Sequence, residues 1–194
     1  MIAHNTLYPT LPVSQDIAAK LQVYEQLLKK WQKAINLVGP STLGDVAGRH
    51  FMDSIQLIDY IEKKDISLAD IGSGAGFPGM VLAILGIKDV HLVESDTRKA
   101  VFLQTVSRET NTPVTIYNTR IEDCKLPPID TLTARALASL DDLLGFTIQI
   151  TPRIALFLKG ARLDEEVAVA RKKWAFDCKI YGGIIEISNL KKLS

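Results

Sequence analysis

The spacing of apolar residues changes about one third of the way along the chain. In the first third, apolar residues recur at steps of three and four, which is the period of an α-helix. One stripe predicts a helix from Ser14, a suitable N-cap, to about Leu37, where Gly39-Pro40 ends it. A second stripe predicts a helix over roughly 45–63. We therefore expect residues 1–64 to form an N-terminal helical subdomain.

From residue 66 onward, short β-branched apolar runs alternate with helical stretches. The predicted strands are 66–71, 89–94, 113–118, 129–134 and 153–158, and the predicted helices are 78–86, 97–110, 139–150 and 164–174. Two more strands are predicted at 179–181 and 184–188, joined by a Gly182-Gly183 turn. Such alternation implies a mostly parallel sheet covered by helices on both faces. Residues 65–194 are thus expected to form a Rossmann-like α/β domain.

A glycine-rich loop directly follows the first predicted strand. Gly72, Gly74 and Gly76 stand at spacing two, with Ser73 between them, and Pro78 suits the first turn of the next helix. Glycines permit left-handed backbone and close approach of a ligand, and the free N–H groups of a helix start attract electron-rich groups. The loop is therefore predicted to bind a nucleotide-type cofactor.

Polar side chains end several of the predicted strands. Ligands of doubly wound sheets bind beyond the carboxyl ends of the strands, at the point where the strand order reverses. Glu94 ends the second strand and can accept hydrogen bonds from both hydroxyls of a ribose, and Asp70 could orient a charged cofactor tail. Arg135 and Lys159 end the fourth and fifth strands at the same edge. We expect these two to face the substrate.

Two cofactors fit the same glycines. The Gly72-x-Gly74-x-Gly76 spacing is the form found in S-adenosylmethionine enzymes, whereas Gly74-x-Gly76-x-x-Gly79 formally matches the dinucleotide fingerprint. The second match begins late after the strand, and its last glycine falls inside the predicted helix. The methyl donor is therefore favoured, while an NAD-dependent small-molecule oxidoreductase and a non-catalytic cofactor-binding module remain alternatives.

Composition and charge narrow the class of protein. The 194 residues are 47% hydrophobic and carry a formal net charge of +1, so there is no global basic field of the kind that coats nucleic acid. Two cysteines and three histidines form neither a zinc spacing nor a disulfide framework. No apolar run approaches the roughly 18 residues of a membrane span. We expect a cytoplasmic protein without a metal.

Taken together, several motifs resemble the RsmG (GidB) family of bacterial 16S ribosomal RNA methyltransferases. The matching segments occur in the family's order over residues 14–160 and are Ile35-Asn-Leu-Val38, Arg49-His-Phe-Met-Asp-Ser54, Asp70-Ile-Gly-Ser-Gly-Ala-Gly-Phe-Pro-Gly79, Val93-Glu-Ser-Asp96 with Arg98-Lys99 and Phe102-Leu103, Arg120-Ile-Glu122, Ala134-Arg-Ala-Leu-Ala138 and Lys159-Gly160. The resemblance implies a class I fold and S-adenosylmethionine-dependent methylation of guanine N7 in the 530 loop. It implies as partner the 16S rRNA, within the small ribosomal subunit or its precursor, and we expect a monomer.

The resemblance also assigns roles to individual residues. It places Gly72 and Phe77 against the methyl donor, Glu94, Ser95 and Asp96 around its ribose and adenine, and Ile121 with Glu122 at the adenine. It places Arg135 at the cofactor edge that faces the substrate. The remaining loop residues Ser73, Gly74 and Gly76 complete the predicted cofactor site.

The substrate side carries two open interpretations. His50, Asp53 and Ser54 share one predicted helix, where they form either an internal hydrogen-bond cluster or a wall of the target-base pocket. Lys99 is either a solvated helix lysine or a phosphate contact. No catalytic residue is predicted, because guanine N7 carries a lone pair and no proton, so that alignment can supply most of the acceleration.

Overall fold

The computed structural model describes residues 7–193, and its first helix is shorter than predicted. Helix α1 spans Gln15–Trp31 and is capped by Ser14, whose Oγ accepts from the Ile17 amide at 3.4 Å. The predicted continuation to Leu37 is wrong. The side chain of Gln32 accepts from the amides of Leu37 and Val38 and donates to the Val38 carbonyl, all within 3.0 Å, and so folds the chain back at this point.

The predicted helix over 45–63 is a series of short helical segments instead. A 3-10 helix at Pro40–Asp45 is followed by a π-helical turn at Ala47–Phe51, by helix α2 at Met52–Ile55 and by a second 3-10 helix at Gln56–Tyr60. π-turns are rare and often lie at functional sites. Here the wider turn carries buried His50 and Phe51.

Seven strands form one sheet, as the sequence predicts. They are β1 Ser67–Ile71, β2 Asp89–Val93, β3 Thr115–Tyr117, β4 Thr131–Arg135, β5 Ile154–Leu158, β6 Trp174–Tyr181 and β7 Ile184–Lys192. Their order is β3-β2-β1-β4-β5-β7-β6, with β1 to β5 parallel and β7 antiparallel to both of its neighbours. The strand order reverses between β1 and β4, which is where such sheets bind ligands.

The helices after the strands are α3 Gly79–Ile84, α4 Thr97–Glu109, α5 Leu140–Ile150 and α6 Leu163–Ala170. The predicted extension of the last helix to residue 174 is wrong, because β6 already begins there. The apolar residues of α1, α3 and α4 bury one face of the sheet, and those of α5 and α6 bury the other. The predicted α/β class with both faces covered is confirmed.

Helix α1 shares its apolar core with the sheet domain. Leu21, Tyr24 and Leu28 are fully buried in the same cluster as Met80 of α3 and Phe102 of α4. The division of the chain between residues 64 and 65 stays a prediction. None of the helices in the described part of the chain is long and apolar enough to cross a membrane.

Candidate cofactor and substrate site

The glycine loop lies at the carboxyl end of β1 in the backbone conformation that its sequence predicts. Gly72, Gly74 and Gly76 have φ angles of 64°, 56° and 95°, which are strained for residues with a side chain. Beneath the loop, a Cβ on Gly79 would lie 2.6 Å from the Cβ of Asp70. Only glycine therefore lets α3 begin this close to the strand.

Asp70 supports the loop from below. Its Oδ2 accepts from the Gly79 amide at 3.1 Å and its Oδ1 accepts from Thr133 Oγ1 at 2.9 Å. Burial raises the pKa of Asp70 to about 7, although the hydrogen bonds from Thr133 and Gly79 act to lower it. Because the side chain is fully buried, it does not reach a cofactor tail, and that expectation is wrong.

Glu94 joins the end of β2 to the glycine loop. Its Oε2 accepts from the Gly74 amide and its Oε1 accepts from the Asp96 amide, both at 2.7 Å. A carboxylate oxygen has two lone pairs, so each oxygen can accept one further hydrogen bond. The side chain of Asn118 fixes the backbone here by donating to the Glu94 carbonyl at 2.9 Å. This geometry suits the predicted contact with two ribose hydroxyls.

Three adjoining cavities follow the carboxyl ends of the parallel strands. The central cleft, of about 560 Å³, is lined by the glycine loop and by Glu94, Lys99 and Arg135. The β3-side cavity, of about 330 Å³, is lined by residues that include Ile121 and Glu122. These two share Gly72, Ser95 and Leu137. The β5-side cavity, of about 360 Å³, lies next to Lys159.

A larger cavity lies between the loop after β4 and helix α6. Its volume is about 620 Å³, and it contains no residue of the glycine loop. Two of its carboxylates are already engaged, since Asp141 accepts from Trp174 Nε1 at 2.7 Å and Glu166 pairs with Lys159 at 2.7 Å. We therefore assign the site to the central cleft and its two neighbours.

Arg135 is held at the cleft by His50. The Arg135 Nη2 atom lies 2.7 Å from His50 Nδ1, and its Nη1 donates to the Arg49 carbonyl at 3.3 Å. Since a guanidinium only donates, His50 Nδ1 accepts, and the ring proton is on Nε2, which lies 2.9 Å from Thr42 Oγ1. Burial, with the charges of Arg135 and Arg49, lowers the pKa of His50 to about 4. His50 is therefore neutral at pH 7.

Phe77 lies at the centre of an aromatic cluster. Its ring stacks on Tyr24 at a centroid distance of 5.3 Å and on His50 at 4.8 Å, and the Arg135 guanidinium lies 4.9 Å from its centroid. The Tyr24 hydroxyl also donates to the Ala75 carbonyl. Phe77 lines the cleft but is 4% exposed. Its ring therefore packs the loop against α1 more than it offers a face to a ligand.

Three predicted site residues line none of the three cavities. Ser54 is fully buried and donates to the His50 carbonyl at 2.7 Å, so it belongs to the internal cluster. Asp96 caps α4, accepting from the Arg98 amide at 2.8 Å, and faces the groove beside α1. A Cβ on Gly76 would clash with the Tyr24 hydroxyl, so this glycine faces α1. In the structure each of these three takes part in packing or capping, and their contacts with a ligand stay predictions.

The structure brings most of the other predicted residues together. The predicted residues that line the central cleft are Gly72, Ser73, Gly74, Phe77, Glu94, Ser95, Lys99, His50, Asp53 and Arg135. Lys159 lines the β5-side cavity, but its ammonium group is engaged with Glu166 and with the Ala138 carbonyl at 2.9 Å. Within residues 7–193, no three His, Cys, Asp or Glu side chains gather as a metal site.

Two of the cleft residues that the sequence does not predict shape the site directly. Leu137 is 39% exposed and packs directly on Gly72, at the junction of the central cleft and the β3-side cavity. Thr42 fixes the tautomer of His50. Ala136, between Arg135 and Leu137, has a φ of 50°, which a non-glycine residue rarely adopts. Neither a leucine in a loop nor a threonine in a 3-10 helix has a sequence pattern that marks it as a site residue.

A family model described as rRNA small subunit methyltransferase G matches residues 17–188. The chain belongs to this family. A ribosomal RNA small subunit methyltransferase G of Paramagnetospirillum magneticum is 50% identical over 167 residues, which cover 84% of this chain and 80% of that protein. The corresponding protein of Rickettsia prowazekii is 41% identical over 195 residues, covering 94% of this chain and all of the relative. The resemblance noted from the motifs is confirmed, and with it the prediction of an rRNA methyltransferase.

Solved structures of methyltransferases share the fold. A putative RNA methyltransferase from Pyrococcus horikoshii superimposes with a TM-score of 0.56 at 14% identity, covering 88% of this chain and 99% of that one. Magnesium protoporphyrin IX methyltransferase from Synechocystis, solved with bound SAM, gives a TM-score of 0.62 at 9% identity, covering 91% and 98%. At these identities the likeness concerns the fold alone, and the predicted class I fold is confirmed.

Proposed function

We propose that this small-subunit rRNA methyltransferase transfers a methyl group from S-adenosylmethionine to N7 of a guanine in the 530 loop of 16S rRNA. The observation that carries the proposal is the junction at the ends of β1 and β2. There, left-handed glycines meet the carboxylate of Glu94 at a cleft that ends at Arg135. Family membership supplies the substrate class.

The residues present fit the methyl donor. Gly74 leaves room for a close approach, since a Cβ there would meet no atom nearer than 3.8 Å, and the oxygens of Glu94 retain lone pairs for the ribose hydroxyls. Beyond Ser95, the β3-side cavity has the apolar side chain of Ile121 for the adenine, with Glu122 at its rim. We assign the nucleoside to these residues, and the amino-acid end to the central cleft.

The site contains what N7 methylation needs. S-adenosylmethionine supplies a methyl group on a sulfonium, so that the N7 lone pair forms the new C–N bond, the S–C electron pair stays on sulfur, and the purine becomes cationic. The imidazole of His50, which lines the cleft, has its acceptor nitrogen occupied by Arg135 and is not available as a base. Since N7 carries no proton, the role of these residues is to align the base and exclude water.

The basic residues at the cleft suit RNA. Lys99 and Arg135 line it, and Lys33 with Arg98 line the adjoining groove beside α1. Phosphate contacts of this kind position a nucleic acid without reading its sequence. We propose that they orient the 530 loop within the small subunit or its precursor, and that the protein acts as a cytoplasmic monomer.

Two measurements test the proposed function. Calorimetry should show binding of S-adenosylhomocysteine and none of NADH. Incubation of unmethylated 30S particles or naked 16S rRNA with labelled S-adenosylmethionine, followed by mass-spectrometric mapping, should place N7-methylguanosine in the 530 loop. Label at another atom or in another region would contradict the proposal, and NADH binding without S-adenosylhomocysteine binding would contradict the cofactor assignment.

A further inference from the structure

The β5-side cavity continues the central cleft on the far side of Arg135. The two cavities share Asp53, Arg135 and Ala136, so Arg135 stands at their boundary. The remaining wall of the β5-side cavity includes Gly160 at the end of β5 and Gly183 in the turn before β7. Its volume of about 360 Å³ lies within the range of about 300–1,000 Å³ that is usual for small-ligand pockets.

Most of the charge in this cavity is already neutralised. Lys159 and Glu166 form an ion pair at 2.7 Å, and the Lys159 side chain is 9% exposed. The nearest cation to Asp53 is Arg135, whose Nη1 lies at 3.9 Å, and the Asp53 carboxylate makes no hydrogen bond within residues 7–193. Asp53 is therefore the carboxylate in this cavity that is free to accept hydrogen bonds from a ligand.

Resting on the proposed function, we propose that the β5-side cavity receives the target guanine and that Asp53 is the residue that selects it. The carboxylate accepts hydrogen bonds from N1–H and from the 2-amino group of the base, two donors that stand side by side on its Watson–Crick edge. An enzyme that acts on a base commonly takes it out of the stack and reads that edge in a pocket.

The chemistry of the two purines makes this contact selective. An ionised carboxylate only accepts hydrogen bonds. Adenine presents a lone pair at N1 and has no 2-amino group, so it would leave the carboxylate facing another acceptor. A site built to hydrogen-bond a polar group discriminates against a ligand that lacks it. Because the Asp53 side chain is 43% exposed, water can partly replace the lost bond, and the expected discrimination is moderate.

Holding guanine by this edge also leaves the reacting atom free. N7 lies across the purine from the 2-amino group, so Asp53 does not compete for its lone pair. The methylated purine carries a positive charge, which a nearby carboxylate stabilises as it develops. Arg135 alone would oppose that charge, and Asp53 at 3.9 Å offsets it.

The test pairs a substitution in the protein with a single-group change in the base. Reconstituted 30S particles carry either guanosine or inosine, which lacks only the 2-amino group, at the nucleotide that the wild type methylates. Rates of N7 methylation are measured for the wild type and for Asp53→Asn. The matched control is Asp59→Asn, an exposed aspartate farther along the same helical stretch and outside the three cavities.

For the wild type and the control, inosine should lower kcat/KM about tenfold, the size expected for the loss of one hydrogen bond to a charged group. In Asp53→Asn the guanosine rate should already be about tenfold lower, and inosine should lower it little further. An equal inosine penalty in Asp53→Asn and the wild type would overturn the inference, as would the absence of a penalty in the wild type. Binding of S-adenosylhomocysteine by Asp53→Asn shows that the variant is folded. If the wild type forms no N7-methylguanosine at all, the proposed function fails instead.

Discussion

The cofactor side and the substrate side of the cleft are built in different ways. On the cofactor side, two carboxylates fairly close in sequence hold the glycine loop, since Asp70 accepts from the Gly79 amide and Glu94 accepts from the Gly74 amide, and the Tyr24 hydroxyl of α1 adds one distant contact. On the substrate side, Arg135 is held by His50, which is 85 residues away in the chain. Local hydrogen bonds preorganise the first region, whereas the second exists only when the N-terminal segment packs on the sheet. The two sides should therefore respond separately to substitution.

The largest effect is expected where the two regions meet. Gly76→Ala adds a Cβ that clashes with the buried Tyr24 hydroxyl, at a residue with a φ of 95°. Left-handed strain and overpacking together should lower the free energy of unfolding by roughly 3–5 kcal/mol, as measured by urea denaturation. Gly145→Ala is the matched control, because a Cβ there meets nothing within 4 Å inside helix α5, and it should be neutral or slightly stabilising. Equal destabilisation by both substitutions would contradict this account of the loop.

The two sides should also give opposite dependences of stability on pH. The pKa of Asp70 is raised from 3.8 to about 7 by burial, so the folded state binds more protons than the unfolded state between these values. The contribution of Asp70 to the free energy of unfolding is fully present below about pH 4. Roughly 2–4 kcal/mol of it is lost as the pH rises to 7. The pKa of His50 is lowered from 6.5 to about 4, so its contribution is lost as the pH falls through that window.

Unfolding measured between pH 4 and 8 separates these two contributions. Asp70→Asn should remove the part of the slope in which stability falls with rising pH, and His50→Asn should remove the part in which stability falls with falling pH. An unchanged pH profile in Asp70→Asn would show that its carboxyl group titrates normally.

A loss of charge at Glu94 should affect cofactor binding. Glu94→Gln keeps the shape of the side chain, but its amide nitrogen cannot accept the hydrogen bond from the Gly74 or Asp96 amide. We expect affinity for S-adenosylhomocysteine, measured by calorimetry, to fall about 10–100-fold, the usual range for hydrogen bonds to charged groups. Glu109→Gln on exposed α4 surface is the control and should bind as the wild type does.

Substitutions at His50 should lower the rate of methylation and leave cofactor affinity nearly unchanged, which is the reverse of the effect expected at Glu94. Asn can replace Nδ1 as the acceptor for Arg135, whereas Phe keeps only the stacking on Phe77. His50→Phe should lower kcat/KM for 30S particles about tenfold through the loss of one charged hydrogen bond, and His50→Asn should lower it less. Affinity for S-adenosylhomocysteine should stay within a factor of two or so in both variants. Equal losses in Asn and Phe would exclude His50 as the residue that positions Arg135.

The smallest effect is expected far from both sides. Ser14→Ala removes the side-chain cap of α1 and should lower stability by about 1 kcal/mol without altering methylation kinetics. A change in kcat/KM at this position would mean that the end of α1 is coupled to the cleft.

The same contrast explains what the sequence could predict. The spacing of residues along the sequence predicts the glycine loop and Glu94, because the first strand, the loop and the end of the second strand lie within one short segment of the chain. The strands were identified for the same reason, since their apolar runs are local.

The substrate side could not be derived in this way. The apolar stripe over 45–63 predicts one helix, but the chain from Pro40 to Tyr60 forms four short segments that place His50 beside Arg135. The early end of α1 depends on the side chain of Gln32, which bonds backbone several residues later. Both features depend on tertiary contacts or on the hydrogen bonds of one side chain, and the spacing of apolar residues does not predict either.

The phenol of Tyr24 ties the glycine loop to the first helix through the Ala75 carbonyl. If the loop moved away from α1, the carbonyl and the hydroxyl would lose this hydrogen bond inside an apolar interior. That loss is unfavourable unless both groups find new partners. We therefore expect the loop to stay closed during turnover. We expect the cofactor to enter and leave the cleft by a movement of the partly exposed Leu137 side chain, while the backbone of the glycine loop stays in place.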